Sequence, residues 1–193
     1  RLLYDLVDCP DFILPCLEKI NAAWLQCYNT CFEILHRYDM DGYSDWLGLW
    51  SARPHVTVEC DFCAMISPSM FNKYFLPALV EQVELIERTI YHLDGPQSLP
   101  HLEAILGLQK LDGIQWVPGT GATVMSDWIP LLQCIQAAGK KLTIACGDWE
   151  VKRLLQELKP EGLQISTGCR SAEEAEALYA EVCRMFGARV DPA

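Results

Sequence analysis

The stretch TIYHLDGPQSLPHLEAILGLQKLDGIQWV, residues 89–117, decides the fold. It opens on a short apolar run, Thr89–Leu93, bounded by Asp94-Gly95-Pro96. It closes on a second run, Gly113–Val117, followed by Pro118-Gly119. Between them Leu99–Leu108 carries apolar residues at helical spacing. Two short buried-type strands joined through a helix make a parallel βαβ unit, because a tight turn cannot return the chain in the same direction.

The same rhythm continues outward. Towards the C-terminus come a helix over Trp128–Ala138 closed by Gly139, a strand Lys141–Ala145, and a helix Glu150–Leu158 with Pro160 beyond it. A strand Leu163–Thr167 follows, then a final helix through Phe186, capped by Ser171 with Glu174 three residues on. Towards the N-terminus, Val56–Phe62 alternates as a strand, and Ser67-Pro68 starts a helix running from Met70 to Arg88. Tyr43–Trp50 reads as a short aromatic strand. A long amphipathic helix over residues 11–37 precedes it, its apolar positions including Ile13, Leu17, Ile20, Trp24, Cys27, Cys31 and Ile34. Five or six strands alternating with helices predict one α/β domain over residues 1–193. Eight strands are needed to close a barrel, so the chain is either a partial barrel of the (β/α)8 TIM type or an open doubly wound sheet. No glycine-rich phosphate loop follows any strand, which argues against nucleotide binding.

Composition narrows the function. The net charge is −11, from 26 acidic against 15 basic residues. A nucleic-acid face needs clustered Lys and Arg to displace counterions, and no such cluster exists. No apolar run reaches the roughly 18–20 residues of a membrane span. The N-terminus has no basic-then-apolar leader pattern. It opens on Arg1 without an initiator Met, as expected of a fragment or processed piece. Ten cysteines in a long, apolar chain, several inside helical patterns, are read as small hydrophobes in a reducing cytoplasm rather than as a disulfide framework.

In a parallel barrel, chemistry gathers at the C-terminal strand ends. Those ends carry Glu59-Cys60-Asp61-Phe62-Cys63, Tyr91-His92-Leu93-Asp94-Gly95, Gln115-Trp116-Val117, Cys146-Gly147-Asp148 and Gly168-Cys169-Arg170. Residues i and i+2 of a strand share a face, so His92 and Asp94 can present imidazole and carboxylate to one point. That pair suits a metal ion or a carboxylate-oriented imidazole; the plainer reading is a strand-end His beside a helix-capping Asp. Cys169 at a later strand end adds a thiol, a donor that zinc favours. Trp116 is read as a pocket wall, with Cys146 beside it. Asp61 is a candidate for a catalytic carboxylate or a turn residue. Cys60 and Cys63 form a lone CxxC, two ligands short of a structural zinc site.

Asp61-Phe62, then Ile66-Ser67-Pro68-Ser69-Met70-Phe71 and Phe75-Leu76-Pro77, resembles the uroporphyrinogen-decarboxylase superfamily. The strand end with His92 resembles the His-x-Cys-Gly segment of the cobamide-dependent methyltransferases within it, and Gly168-Cys169 resembles their later Gly-Cys. The likeness spans about residues 10–187 and corresponds to the C-terminal part of a full member. It implies that an N-terminal half or another copy completes the barrel. It further implies zinc held by His92, Asp94 and Cys169, with Asp94 standing where the methyltransferases have Cys. The cofactor-binding positions are Trp116 and Cys146, and Asp61 orients substrate or handles a proton. The activity implied is methyl transfer from a corrinoid or other methylated donor, or a corrinoid protein, to a thiol. Cofactor-free decarboxylation of a tetrapyrrole-like substrate, and non-catalytic corrinoid or tetrapyrrole binding, are the alternatives. True decarboxylases of the family carry a late Gly-His-Gly where this chain has Gly168-Cys169-Arg170.

Overall fold

The computed structural model describes residues 1–38, 42–119, 121 and 124–187. In chain order the elements are α1 (Leu2–Asp8), α2 (Pro10–Arg37), β1 (Tyr43–Ser44), β2 (Trp50–Ser51), β3 (His55–Glu59), α3 (Pro68–Met70), α4 (Leu76–Leu85), β4 (Arg88–Asp94), α5 (Leu102–Leu106), β5 (Gly113–Val117), α6 (Ile129–Ala137), β6 (Lys141–Ala145), α7 (Val151–Glu157), β7 (Leu163–Ser166) and α8 (Ala172–Met185). Short 3-10 turns follow β3 and β4, over Asp61–Met65 and Pro96–His101. The chain is mixed α/β and forms two compact units, Arg1–Gly119 and residues 120–193. Among the described residues, no helix is long and apolar enough to cross a membrane.

In the first unit β3, β4 and β5 lie side by side and parallel, with His55 opposite Arg88 and Ile90 opposite Gly113. Alternation sorts their side chains. Val58, Tyr91, Leu93, Ile114 and Trp116 are buried on one face. The other face carries Thr57, Glu59, His92, Asp94 and Gln115, and the register sets Glu59, His92 and Gln115 in one row across the three strands. The start of β4 is pinned by Asp112, whose carboxylate accepts from the Thr89 N–H (3.0 Å) and pairs with Arg88 (2.9 Å).

The expected aromatic strand over Tyr43–Trp50 is instead an antiparallel hairpin, with Tyr43 opposite Ser51 and Ser44 opposite Trp50. Asp45 organises it. Its Oδ1 accepts from the Leu47 N–H (3.0 Å), and Gly48 supplies the positive φ (71°) that the turn requires. Its Oδ2 accepts from Thr57 Oγ1 and lies 2.8 Å from His55 Nε2, tying the hairpin to β3.

The helix expected from Met70 to Arg88 is broken into parts by proline. Ser67 Oγ caps α3, accepting from the Met70 N–H (3.3 Å). A wide π turn over Phe71–Phe75 follows, and α4 begins with Pro77 in its first turn. Pro77 has no N–H to give to the turn before it, so a wider turn there leaves fewer carbonyls stranded. The long N-terminal helix is α2. It is pinned to α4 through Asn21, 4% exposed, which donates to Ala78 O (3.3 Å) and to Glu81, and accepts from Gln82 Nε2 (2.6 Å).

In the second unit β6 and β7 are parallel, with Leu142 opposite Leu163 and Ile144 opposite Ile165. Leu132, Ile135, Leu154 and Leu158 complete its core. Ser171 caps α8, accepting from the Glu174 N–H (3.2 Å). The Glu174 carboxylate reaches back one residue further than a capping box places it, to the Arg170 N–H (3.0 Å).

Candidate metal centre

The polar row at the ends of β3, β4 and β5 is where donor atoms gather. Among the described residues, Glu59, Asp61 and His92 each offer a ligand atom, and these atoms lie within 4.8 Å of one another. Glu59 is the last residue of β3. Asp61 opens the 3-10 turn two residues on, and His92 stands beside Glu59 in the parallel register. Glu59 and Asp61 are exposed and His92 is half-buried, so carboxylates at the surface meet an imidazole rooted in the sheet.

The imidazole is held from two sides. Its Nδ1–H donates to Gln115 Oε1 on the neighbouring strand (2.5 Å). That bond leaves the Nε2 lone pair as the ring's free donor, the tautomer a metal-bound histidine needs. Trp46, carried by the Asp45 turn, packs edge-on against the ring with centroids 5.0 Å apart. The indole itself is 62% exposed, so it forms an open wall beside the donors.

The thiols nearby are not prepared for ionisation. Burial, with the neighbouring Cys63 next, pushes the Cys60 thiol up to about 12. Burial likewise raises Cys63, partly offset by its hydrogen bonds with Ser98 and Tyr91. This CxxC is therefore packing beneath the site. His101 seals it from below, its Nε2–H donating to Cys63 O (2.8 Å) and its ring lying 4.7 Å from that of Phe71.

The expected ligands His92, Asp94 and Cys169, the expected catalytic Asp61 and the expected cofactor-binding Trp116 and Cys146 are placed as follows. His92 and Asp61 come together. Asp94 shares the His92 face but lies outside the group of converging donors; Ser98 Oγ donates to its main-chain carbonyl (2.5 Å). Trp116 is fully buried on the face opposite His92 and Gln115, because adjacent strand residues point apart. It is a core residue and not a pocket wall. Cys146 and Cys169 belong to the second unit. Cys146 follows β6, and its thiol is pushed up to about 11 by burial, then by Glu150 and Asp148. Glu150 is itself buried and accepts from the Ser126 N–H (2.8 Å). Cys169 lines a cavity of about 440 Å3 formed with residues of α7, β7 and α8, among them Val151, Ile165, Leu178 and Val182. Thr167 and Tyr179 apart, that lining is apolar, and among the described residues it brings no His, second Cys or carboxylate to Cys169.

Glu59 and Gln115 were not singled out by sequence reasoning. Gln115 could have been: a carboxamide between Ile114 and Trp116, in a strand otherwise apolar, must find a partner on the sheet face. Glu59 depends on cross-strand register, which no local pattern gives.

Compared with known protein families, curated proteins and solved structures, the chain matches none.

Proposed function

We propose that the chain is a metal-dependent enzyme of the uroporphyrinogen-decarboxylase-like kind, built as a partial (β/α)8 barrel, that passes a methyl group from a corrinoid or other methylated donor to a thiol. The observation that supports it best is the convergence of Glu59, Asp61 and His92 within 4.8 Å, with Gln115 fixing the imidazole. Two carboxylates and one imidazole suit Zn2+ or a similar first-row dication, and three protein ligands leave a position for substrate. A bound cation supplies Lewis acidity there, lowering the pKa of an incoming thiol.

The chain's own groups do the rest. Gln115 keeps the His92 proton on Nδ1 and the Nε2 lone pair free. Glu59 and Asp61 bring negative charge that offsets a dication. Asp61, exposed in the turn after β3, would take the thiol proton on the carboxylate oxygen that does not face the cation. Trp46 screens one side of His92 from water and offers a flat apolar surface to a large donor. Ten cysteines, none paired with another, fit a cytoplasmic setting.

The test is metal uptake followed by turnover. Titration with Zn2+ should give one ion per chain, and His92→Ala and Glu59→Gln should each lose it. Cys169→Ser should bind as the parent does. Loss of binding in Cys169→Ser, with Glu59→Gln unaffected, would restore the His92, Asp94 and Cys169 ligand set. No uptake at all would leave decarboxylation or plain tetrapyrrole binding as the reading. A methylated corrinoid with a thiol acceptor then reports the transfer itself.

A further inference from the structure

We propose that two copies of the chain associate through α2, packed antiparallel against its counterpart in the second copy. The helix is 28 residues long, about 42 Å at 1.5 Å per residue. Ile13 and Asn21 are its buried residues, and Leu17, Trp24, Tyr28 and Phe32 are half-buried beside them towards the rest of the first unit. A second stripe runs beside that face. Cys16, Ile20, Ala23, Cys27, Thr30 and Ile34 are spaced 4, 3, 4, 3 and 4 apart. This is the heptad seam of a coiled coil, and it is apolar throughout in effect. All six are exposed except the half-buried Cys16, and Ile20 is 64% exposed. Thr30 presents its methyl group, because its hydroxyl donates to Gln26 O on its own helix (2.9 Å).

What covers the seam is indicated by its flank. Lys19, Gln26 and Glu33 recur at seven-residue spacing along the side of the seam away from the first unit's core. In an antiparallel pair, such flank positions face their counterparts in reverse order. Lys19 then meets Glu33 of the second copy, Glu33 meets its Lys19, and Gln26 meets Gln26 at the symmetry axis. The same register sets Ile20 opposite Thr30, Cys27 opposite Ala23 and Ile34 opposite Cys16 of the second copy. Small residues fall at the centre, where two helices must approach most closely. Phe12 and Tyr38, both exposed, close the two ends against each other. A parallel pairing has no such match: it places Lys19 and Glu33 opposite Trp24 and Tyr38. The seam is thus complementary to itself in one orientation, as a two-fold interface requires.

Sedimentation equilibrium on the full chain tests this. The parent should behave as a dimer through the micromolar range. Ala23→Arg, or Cys27→Arg as a second variant, should give a monomer with unchanged circular dichroism. Lys19→Glu and Glu33→Lys should each raise the dimer dissociation constant about tenfold, since each reverses two symmetry-related pairs. The double variant should return to within about twofold of the parent, because the charges are merely exchanged. A monomeric parent, the outcome if another polypeptide segment covers the seam, overturns the proposal. So does a dimer that survives both arginine variants. A double variant no tighter than the singles overturns the antiparallel register.

Discussion

His92 Nδ1 and Gln115 Oε1 lie 2.5 Å apart across adjacent parallel strands, with their Cα positions in direct register. The bond selects one imidazole tautomer before any ligand arrives. Gln115→Leu keeps the side-chain volume but removes the acceptor. It should weaken Zn2+ binding about 10–100-fold, the usual cost of losing a partner behind a ligating histidine. Isothermal titration against the parent measures it, and equal affinities would show that the bond has no part in metal binding.

Asp45 sits at the base of the hairpin that brings Trp46 to His92. Its carboxylate is shared by the Leu47 N–H, Thr57 Oγ1 and His55 Nε2. Asp45→Ala strips all three at once and leaves buried His55 without its carboxylate partner. A stability loss of about 1–3 kcal/mol follows from stranding buried polar groups. Urea unfolding gives that number.

Trp116 tests the two faces of the sheet against each other. As a fully buried side chain opposite the donor row, it should govern stability alone. Trp116→Ala should cost about 3–5 kcal/mol. Trp116→Phe should cost less and leave Zn2+ affinity unchanged. A change in affinity with stability intact would place the indole at the site.

The thiol of Cys60 carries a pH dependence whose sign is fixed. Its ordinary value is 9.0, and in the fold it is pushed up to about 12. Above pH 9 the unfolded chain releases this proton first, so the stability it contributes is complete below pH 9 and lost as pH rises through about 12. Unfolding free energy should fall as pH rises from about 9 towards 12, and fall less in Cys60→Ser. At about pH 8, iodoacetamide should label exposed Cys9 and Cys134 well before Cys60 or Cys146, as peptide mass spectrometry would resolve.

The strands of the βαβ units were legible because their periodicity and punctuation are local. Thr89–Leu93 and Gly113–Val117 were read to within a residue at each end. Local signals also placed Ser67 and Ser171 as caps. The hairpin at Tyr43–Ser51 escaped, since two-residue strands have no period to detect. Trp116 was misplaced because a strand's alternation tells which residues share a face but not which face the helices cover. Of the converging group, His92 was read as a ligand and Asp61 only as a catalytic carboxylate, both from their places at strand ends, whereas Glu59 joins them through the offset between β3 and β4. That offset is a property of two strands, written in neither.

Glu59, Asp61, His92 and Gln115 come from three consecutive strands and the turn after the first of them, all within a span of 57 residues counted from 59 to 115. On a chain made from its N-terminus, the whole donor set has therefore been synthesised while the segment carrying β6 and β7 is still to come. Each strand needs only the one made just before it, so the loops to be closed are short and their entropic cost small. A growing chain can thus pair β3, β4 and β5 and bring these side chains together early, while the rest of the polypeptide is still emerging.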